Sequence, residues 1–273
     1  MEPLTALTIA GSDSGGGAGI QADLRTFSAF SVHGTTAITA VTAQNTLAVT
    51  RVIALEPEDV RSQVDAVLSD FTVNAVKTGM LAQPATVLLV AELASAGRLA
   101  NLVVDPVLVS TTGHALMDEG GVEAYRDALV PHAMLITPNL GEAAVLAGVD
   151  VRDVKTLEDM IELAGRLLAL GPRAVLVKGG HLRTNASVQS HAPDVLMDND
   201  GVSVLDGPRV ETTNDHGTGC SLAAAVAAGL AYGRPLPNAV RDAKSFVLAA
   251  LNSAANWHLG HGHGPIDHLG WNA

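Results

Sequence analysis

Residues Ala6–Phe27 read ALTIAGSDSGGGAGIQADLRTF: an apolar run suited to a strand, a glycine-rich turn, and a stretch with helical spacing of apolar residues from about Ile20. The same strand, turn and helix recurs downstream. TAITAVT precedes PEDVRSQVDAVLSDF, VNAVKTG precedes PATVLLVAELASAG, and NLVVDPV precedes GVEAYRDALV. MLITPN leads into LGEAAVLAG, TLEDMIELAGRLLALG follows, and AVLVKGG closes the series. Several of these strands are apolar throughout, as strands covered by helices on both faces must be. The alternation predicts an α/β fold built on a mostly parallel sheet. Near the end, VLM and VSVL flank DNDG (Asp198–Gly201), a hairpin signal that predicts antiparallel strands finishing the sheet. Two helices should follow, over Cys220–Tyr232 and from about Asn238 to Ala255.

The chain has 273 residues, of which 48% are hydrophobic and only 3% aromatic. A core of that composition is made of many small aliphatic contacts, and the length is enough to bury one. No linker, repeat or break in composition divides the sequence, so one domain over 1–273 is expected. A formal charge of −12 opposes binding to nucleic acid or to an anionic membrane. Phosphate must then be held by local cations, and the lysines are Lys77, Lys155, Lys178 and Lys244. Cys220 is the only cysteine, which excludes an internal disulfide and suits a reducing, cytoplasmic setting. The N-terminal MEPLTALTIAG lacks the basic and apolar regions of a signal peptide, and LAAAVAAGLAY (Leu222–Tyr232) falls short of the ~20 residues that span a bilayer.

Ligands of open α/β sheets bind beyond the carboxyl ends of the strands. There the sequence places Gly11–Gly19, Gln44, Thr78–Met80, Asp105, Asn139–Glu142 and Lys178–His181. GAGIQA (Gly17–Ala22) formally matches a dinucleotide fingerprint, but it starts seven residues after the strand ends and no acid lies between Asp23 and Glu56. No lysine follows the glycines, so it is not a P-loop; the segment is either a plain turn or a ligand loop of another kind. Gly217, Thr218 and Gly219 open an Ala-rich helix, where exposed amides and the helix dipole can hold a phosphate or where glycine and threonine simply cap the helix. Cys220 stands in that first turn, where the dipole lowers a thiol's pKa, although a lone cysteine also serves as a small core residue. Asp105, Asn139 and Glu142 offer the oxygen ligands Mg²⁺ prefers, and Asn139 with Glu142 also has the spacing of a capping box. Lys178 is placed either to sit over a polyphosphate or to be solvated. GHGHGPIDH (Gly260–His268) reads as a turn-rich tail packing back on the sheet.

Taken in order, ALTIAGSDSGGGAGIQADLRTF, TAVTAQNT, KTGML, VVDPVLVSTTGH, LITPNLGEA, VLVKGGH, HGTGCSLAAAVAAGLA, AKSFVLAAL and GHGPIDH resemble the hydroxymethylpyrimidine/phosphomethylpyrimidine kinases of thiamine biosynthesis, within the ribokinase-like superfamily. The resemblance implies a three-layer sandwich and a kinase that uses Mg²⁺ and ATP to phosphorylate 4-amino-5-hydroxymethyl-2-methylpyrimidine and then its monophosphate. It implies that the glycine-rich loop closes on the pyrimidine while the ATP phosphates lie at Gly217–Cys220. Gly11, Asp23, Gln44 and Met80 then fall at pyrimidine positions, with Val107 adding apolar surface. A glutamine amide, a donor beside an acceptor, complements an aminopyrimidine edge. Lys178, Thr218, Gly219 and Lys244 would border the nucleotide, and Asp105, Asn139 and Glu142 would serve Mg²⁺. Lys178 with the amides of Gly217 and Gly219 would stabilise the transferred group, and Cys220 would take the alcohol's proton. Homodimers are implied as well. Two positions depart from the pattern: Asp215 replaces the usual Thr before HGTGC, an extra carboxylate that rides on Mg²⁺ or points away, and Thr78 replaces an aliphatic residue.

Pyridoxal or pyridoxine kinase of the same branch is the nearest alternative. A thiol hydrolase built on Cys220 and His216, or a dinucleotide-binding oxidoreductase, would belong to a different class.

Overall fold

The computed structural model describes residues 2–108, 119–180 and 191–271. His181 and the stretch 109–114, both singled out above, lie outside them. Nine strands form one sheet: β1 (Thr5–Asp13), β2 (His33–Gln44), β3 (Val49–Ala54), β4 (Val73–Thr78), β5 (Val103–Val104), β6 (Leu135–Ile136), β7 (Ala174–Val177), β8 (Asp194–Asp198) and β9 (Gly201–Leu205). Their spatial order is β3-β2-β1-β4-β5-β6-β7-β8-β9, parallel from β2 through β7. The helices are α1 (Gly19–Ala29), α2 (Pro57–Asp70), α3 (Pro84–Ser95), α4 (Glu119–Glu123), α5 (Leu140–Ala147), α6 (Leu157–Leu168), α7 (Thr218–Ala231) and α8 (Leu236–Ala254).

Successive strand residues point to opposite faces, and here both faces are buried. Leu7, Ile9, Val76, Val104, Ile136, Val175 and Val177 meet α2, α3, α5 and α6 on one side. Ala6, Ala75, Val103, Leu135, Ala174 and Leu176 meet α1, α7 and α8 on the other. The second side is lined by smaller residues, so α7 approaches closely. Ser221–Ala231 are all buried, as a helix apolar around its whole circumference must be. A Cβ on Gly229 would stand 2.8 Å from that of Ala239, which shows how near α8 crosses.

The α/β class, the mostly parallel sheet and the antiparallel end are as the sequence predicts. DNDG forms the β8–β9 turn, with Asp198 Oδ1 accepting the amides of Asp200 and Gly201. The other edge differs: β3 runs antiparallel to β2 and was not expected. Five of its six residues are exposed, so it lacks the buried face that marks a strand in sequence.

Candidate active site

The glycine-rich turn after β1 is organised by one carboxylate. Asp13 Oδ1 accepts the Gly15 amide at 2.8 Å, and Oδ2 accepts those of Gly17 and Ala18 at 3.1 and 2.9 Å. Asp-Ser-Gly is a sequence that favours such local side-chain to backbone bonding. The amides of Gly15, Gly17 and Ala18 are thereby taken from any phosphate, and this loop is no dinucleotide cradle. Burial pushes Asp13 upward, but the His216 hydrogen bond and these amides outweigh it and hold the carboxyl below its ordinary range. His216 Nε2 lies 3.0 Å from Asp13 Oδ2 and 3.2 Å from the Gln44 side-chain amide. The loop before α7 therefore meets both the β1 turn and the end of β2. Gly217, at φ +88°, must be glycine, because a Cβ would lie 1.9 Å from the Gly17 carbonyl.

Helix α7 starts there without a side-chain cap. The Thr218 amide donates to Asp215 O at 3.3 Å, whereas no acceptor among the described residues takes those of Gly219 and Cys220. These two amides, at the positive end of a 14-residue helix, form the exposed part of an anion site. A Cβ on Gly219 would meet Lys178 Nζ at 3.2 Å and Asp105 Oδ2 at 3.8 Å, so the ends of β5 and β7 deliver their charges to this helix terminus. Lys178 Nζ donates to Asp105 Oδ1 at 3.0 Å, and Thr137 Oγ1 donates to the same oxygen at 3.0 Å. Burial opposes the Lys178 charge, yet Asp105 and Glu142 raise its pKa above the ordinary value.

Asn139 and Glu142 form a complete capping box at the start of α5: Asn139 Oδ1 accepts the Glu142 amide at 2.9 Å and Glu142 Oε2 accepts the Asn139 amide at 2.8 Å. The Asn139 oxygen spends one of its two lone pairs on the cap, so its expected part at a metal would be played alongside the cap. Burial, with Asp105 adding its charge, pushes Glu142 up to about 7. Two buried carboxylates that repel one another beside a helix terminus are a donor set a hard cation relieves; no hydrogen bond among the described residues reaches Asp105 Oδ2.

Cys220 departs from its expectation. Burial pushes its thiol up to about 11, Asp23 and Asp105 adding to the rise against Lys77, so the helix dipole does not prevail. The Gly19 amide points at this sulfur. His216 is turned to Asp13 and Gln44, which removes the Cys-His pairing a thiol hydrolase needs.

Asp23 also departs. It is 0% exposed, and both its oxygens lie 2.9 Å from Lys77 Nζ, itself 0% exposed, while Thr8 Oγ1 donates to Oδ2 at 2.7 Å. It braces α1 against β4 from beneath the site rather than facing a ligand. Asp23 holds Lys77 charged against burial and raises its pKa. Gly11 and Met80 come together as expected, since a Gly11 Cβ would fall 2.5 Å from Met80 Cε. Val107, half-buried, follows two residues after Asp105. Lys244 donates to Asp194 Oδ2 at 2.6 Å and to Ala192 O at 2.7 Å, and Asp194 Oδ1 accepts the Gly179 amide. It borders the site through Asp194 and is not a free cation.

Sequence reasoning missed Asp13 as the organiser of the loop, and it read His216 only as a thiol partner. Asp215 points away: its Oδ1 is 2.8 Å from His263 Nδ1 in the C-terminal tail. That tail packs on the Thr46 loop and the start of α7 rather than on the sheet, with His268 Nε2 2.7 Å from Ser221 Oγ.

The sequence that brings this lysine and capless helix start to the carboxyl edge of the sheet is matched over residues 13–267 by the family model described as phosphomethylpyrimidine kinase. The chain belongs to that family. It is similar to the hydroxymethylpyrimidine/phosphomethylpyrimidine kinase of Rhizobium meliloti, 48% identical over 265 residues covering 97% of this chain and 96% of that one. Among solved structures, an ADP complex of Bacillus subtilis pyridoxal kinase is similar with a TM-score of 0.87, 38% identity and 98% of each chain covered. Phosphomethylpyrimidine kinase from Clostridium difficile superposes with a TM-score of 0.79 at 38% identity, covering 91% of this chain and 99% of that one. Membership of the phosphomethylpyrimidine kinase family makes the protein a phosphotransferase with ATP as co-substrate, on a ribokinase-like three-layer fold.

Proposed function

We propose that the protein transfers the terminal phosphoryl group of Mg·ATP to 4-amino-5-hydroxymethyl-2-methylpyrimidine and then to the resulting monophosphate, serving thiamine biosynthesis. The observation that carries this reading is the meeting of Lys178, Asp105 and the free amides of Gly219 and Cys220 at one helix terminus, with Gly11, Met80 and Gln44 placed around the neighbouring loop. Phosphoryl transfer is mostly positioning and charge neutralisation. Lys178 neutralises charge on the transferred group, and the Gly219 and Cys220 amides hold its oxygens. Asp105 and Glu142 would hold Mg²⁺, with Asn139 fixing Glu142 through the cap; bound there, the cation supplies further neutralisation of phosphate charge. Gln44 takes the aminopyrimidine edge, and Met80 and Val107 pack on the ring.

Cys220 takes the proton of the attacking alcohol through its thiolate fraction, which the Gly19 amide favours and burial limits. In the second step the nucleophile is a phosphate oxygen, already largely ionised with a second pKa near ~6, and no base is needed. Cys220→Ser should slow the alcohol step by about 10² or more, the range of general base catalysis, and the monophosphate step far less. Equal losses would make Cys220 part of the phosphate site instead.

The whole chain acts as one kinase domain. A homodimer joined at the β2–β3 edge is supported by the exposed Val41, Leu47, Val52 and Ile53, and a cytoplasmic setting by the lone thiol. Pyridoxal is a second candidate substrate, favoured by the similarity to the Bacillus subtilis enzyme. Initial rates of ADP formation with the pyrimidine alcohol, its monophosphate and pyridoxal, with and without Mg²⁺, separate the readings. Turnover of pyridoxal alone would overturn the first.

A further inference from the structure

We propose that His216 is a positioning residue that fixes which way round the Gln44 side-chain amide faces, and thereby selects a ring edge carrying an amino group beside a ring nitrogen. This rests on the reading of Gln44 as the residue that meets the pyrimidine.

The argument is a proton count. Asp13 accepts three backbone N–H groups and stays ionised, so its Oδ2 can only accept. His216 Nε2, 3.0 Å from Oδ2, must therefore carry its proton. The structure sets Gln44 Nε2 3.2 Å from this N–H, a donor against a donor; turned over, the amide brings its oxygen there instead, where it shares the one Nε2 proton with Asp13 Oδ2. At the other end of the amide, Thr42 Oγ1 is 3.2 Å away and is also 3.0 Å from the Ser12 carbonyl, which takes its one proton. Thr42 Oγ1 is left as an acceptor, suited to the amide NH₂. Each orientation divides one proton between two acceptors, that of His216 in the turned amide and that of Thr42 in the other; what separates them is that only the other sets two donors face to face at His216. Amide ends of equal size are not told apart by shape, but they are by partners.

His216 cannot swing aside to release this arrangement. A Cβ on Gly17 would stand 2.5 Å from its Cδ2, so the ring lies against that glycine, and its backbone amide donates to the Gly264 carbonyl at 3.0 Å. Gln44 thus offers its remaining lone pair on the His216 side and its remaining N–H on the Thr42 side. A 4-amino group beside a ring nitrogen fits this pattern. A 4-oxo group beside a ring N–H reverses it and leaves both pairs unmade.

Calorimetric titration with the 4-amino substrate and its 4-oxo analogue reads this directly. The protein should prefer the amino ring by about tenfold to a hundredfold, the range of one or two mismatched buried hydrogen bonds. His216→Gln, which keeps an N–H at similar reach, should retain the preference. His216→Leu frees the amide to turn, and the preference should collapse to within about threefold. A ratio of affinities is insensitive to a partly unfolded sample, which lowers only the stoichiometry. Loss of both affinities by one factor in His216→Leu, or an unchanged preference, would overturn the proposal. Gln44→Ala separates the two levels: if it abolishes the preference while His216→Leu keeps it, only the His216 role fails. If it binds both rings as the unaltered protein does, the reading of Gln44 falls and takes the proposal with it.

Discussion

Lys77→Met removes one half of an ion pair that has no contact with water. Both residues are 0% exposed, the ammonium sits 2.9 Å from each carboxylate oxygen, and the Thr8 hydroxyl is the only other side-chain donor to Asp23 among the described residues. Removing one partner of a buried pair costs about 3–5 kcal/mol, because the other charge stays buried. That is a large share of the roughly 5–15 kcal/mol that holds a domain together. Replacing both, Lys77→Met with Asp23→Leu, leaves no charge behind and should recover most of the loss. The single variant also acquires a pH dependence of definite sign. Burial already raises Asp23, and without Lys77 it lies higher still. A carboxyl whose folded pKa exceeds its unfolded value stabilises below the unfolded value, near ~3.9, and that stability is lost as pH rises through the folded value. The deficit of Lys77→Met should therefore be smaller at pH 5 than at pH 8, by about 1.4 kcal/mol for each unit over which Asp23 takes up its proton. Urea unfolding at the two pH values measures this. A single-variant cost below about 1 kcal/mol, or a double variant less stable than the single one, would refute the reasoning.

Thr78→Val should stabilise the protein by about 1 kcal/mol, because Thr78 Oγ1 is buried with no hydrogen-bond partner among the described residues and valine keeps the shape; a lower melting temperature would reveal a partner. Burial, with Arg25 adding to it, lowers His268 to about 4. Its folded value lies below its unfolded value near ~6.5, so stability should fall as pH drops from about 6.5 to 4, by up to about 3 kcal/mol. His268→Gln should remove that slope from the unfolding free energy, and an unchanged slope would place its origin elsewhere. Gly217→Ala, which sets a Cβ 1.9 Å from the Gly17 carbonyl at φ +88°, should displace the phosphate loop and lower kcat/KM by about 10²; a loss under threefold would show that the loop tolerates the shift.

The parallel sheet was legible because runs such as β7 are apolar on both faces and alternate with helical stretches, and the β8–β9 hairpin because Asp198–Gly201 carries turn chemistry. Strand β3 was not, since exposed residues such as Val52 and Ile53 have no buried face to set a period. Gly11, Gln44, Met80, Asp105, Lys178 and Gly217–Cys220 were placed by their positions after strands or at a helix start, and the structure gathers them there. Properties that depend on what surrounds a side chain were out of reach. Asp23 lies on α1 one turn past the loop, and only the fold shows that it faces Lys77 instead of the pocket. The Cys220 thiol stands in a first helical turn, yet burial outweighs the dipole. A lysine within the apolar run VNAVKTG does hint at a buried partner, and Asp13-Ser14-Gly15 hints at a side-chain turn. The joining of Asp13 to His216, 203 residues away, has no local signal.

The most direct test of phosphoryl transfer at the α7 terminus is product formation by Lys178→Met, followed by phosphorus NMR with Mg·ATP and each pyrimidine in turn, beside calorimetric binding of the alcohol. On the proposed reading Lys178, which stands against Asp105 and the start of α7, neutralises the transferred group and does not hold the pyrimidine, so both phosphorylations should fall by about 10² or more while the alcohol binds as before. Turnover of both substrates at the unaltered rate would contradict the placement of the chemistry.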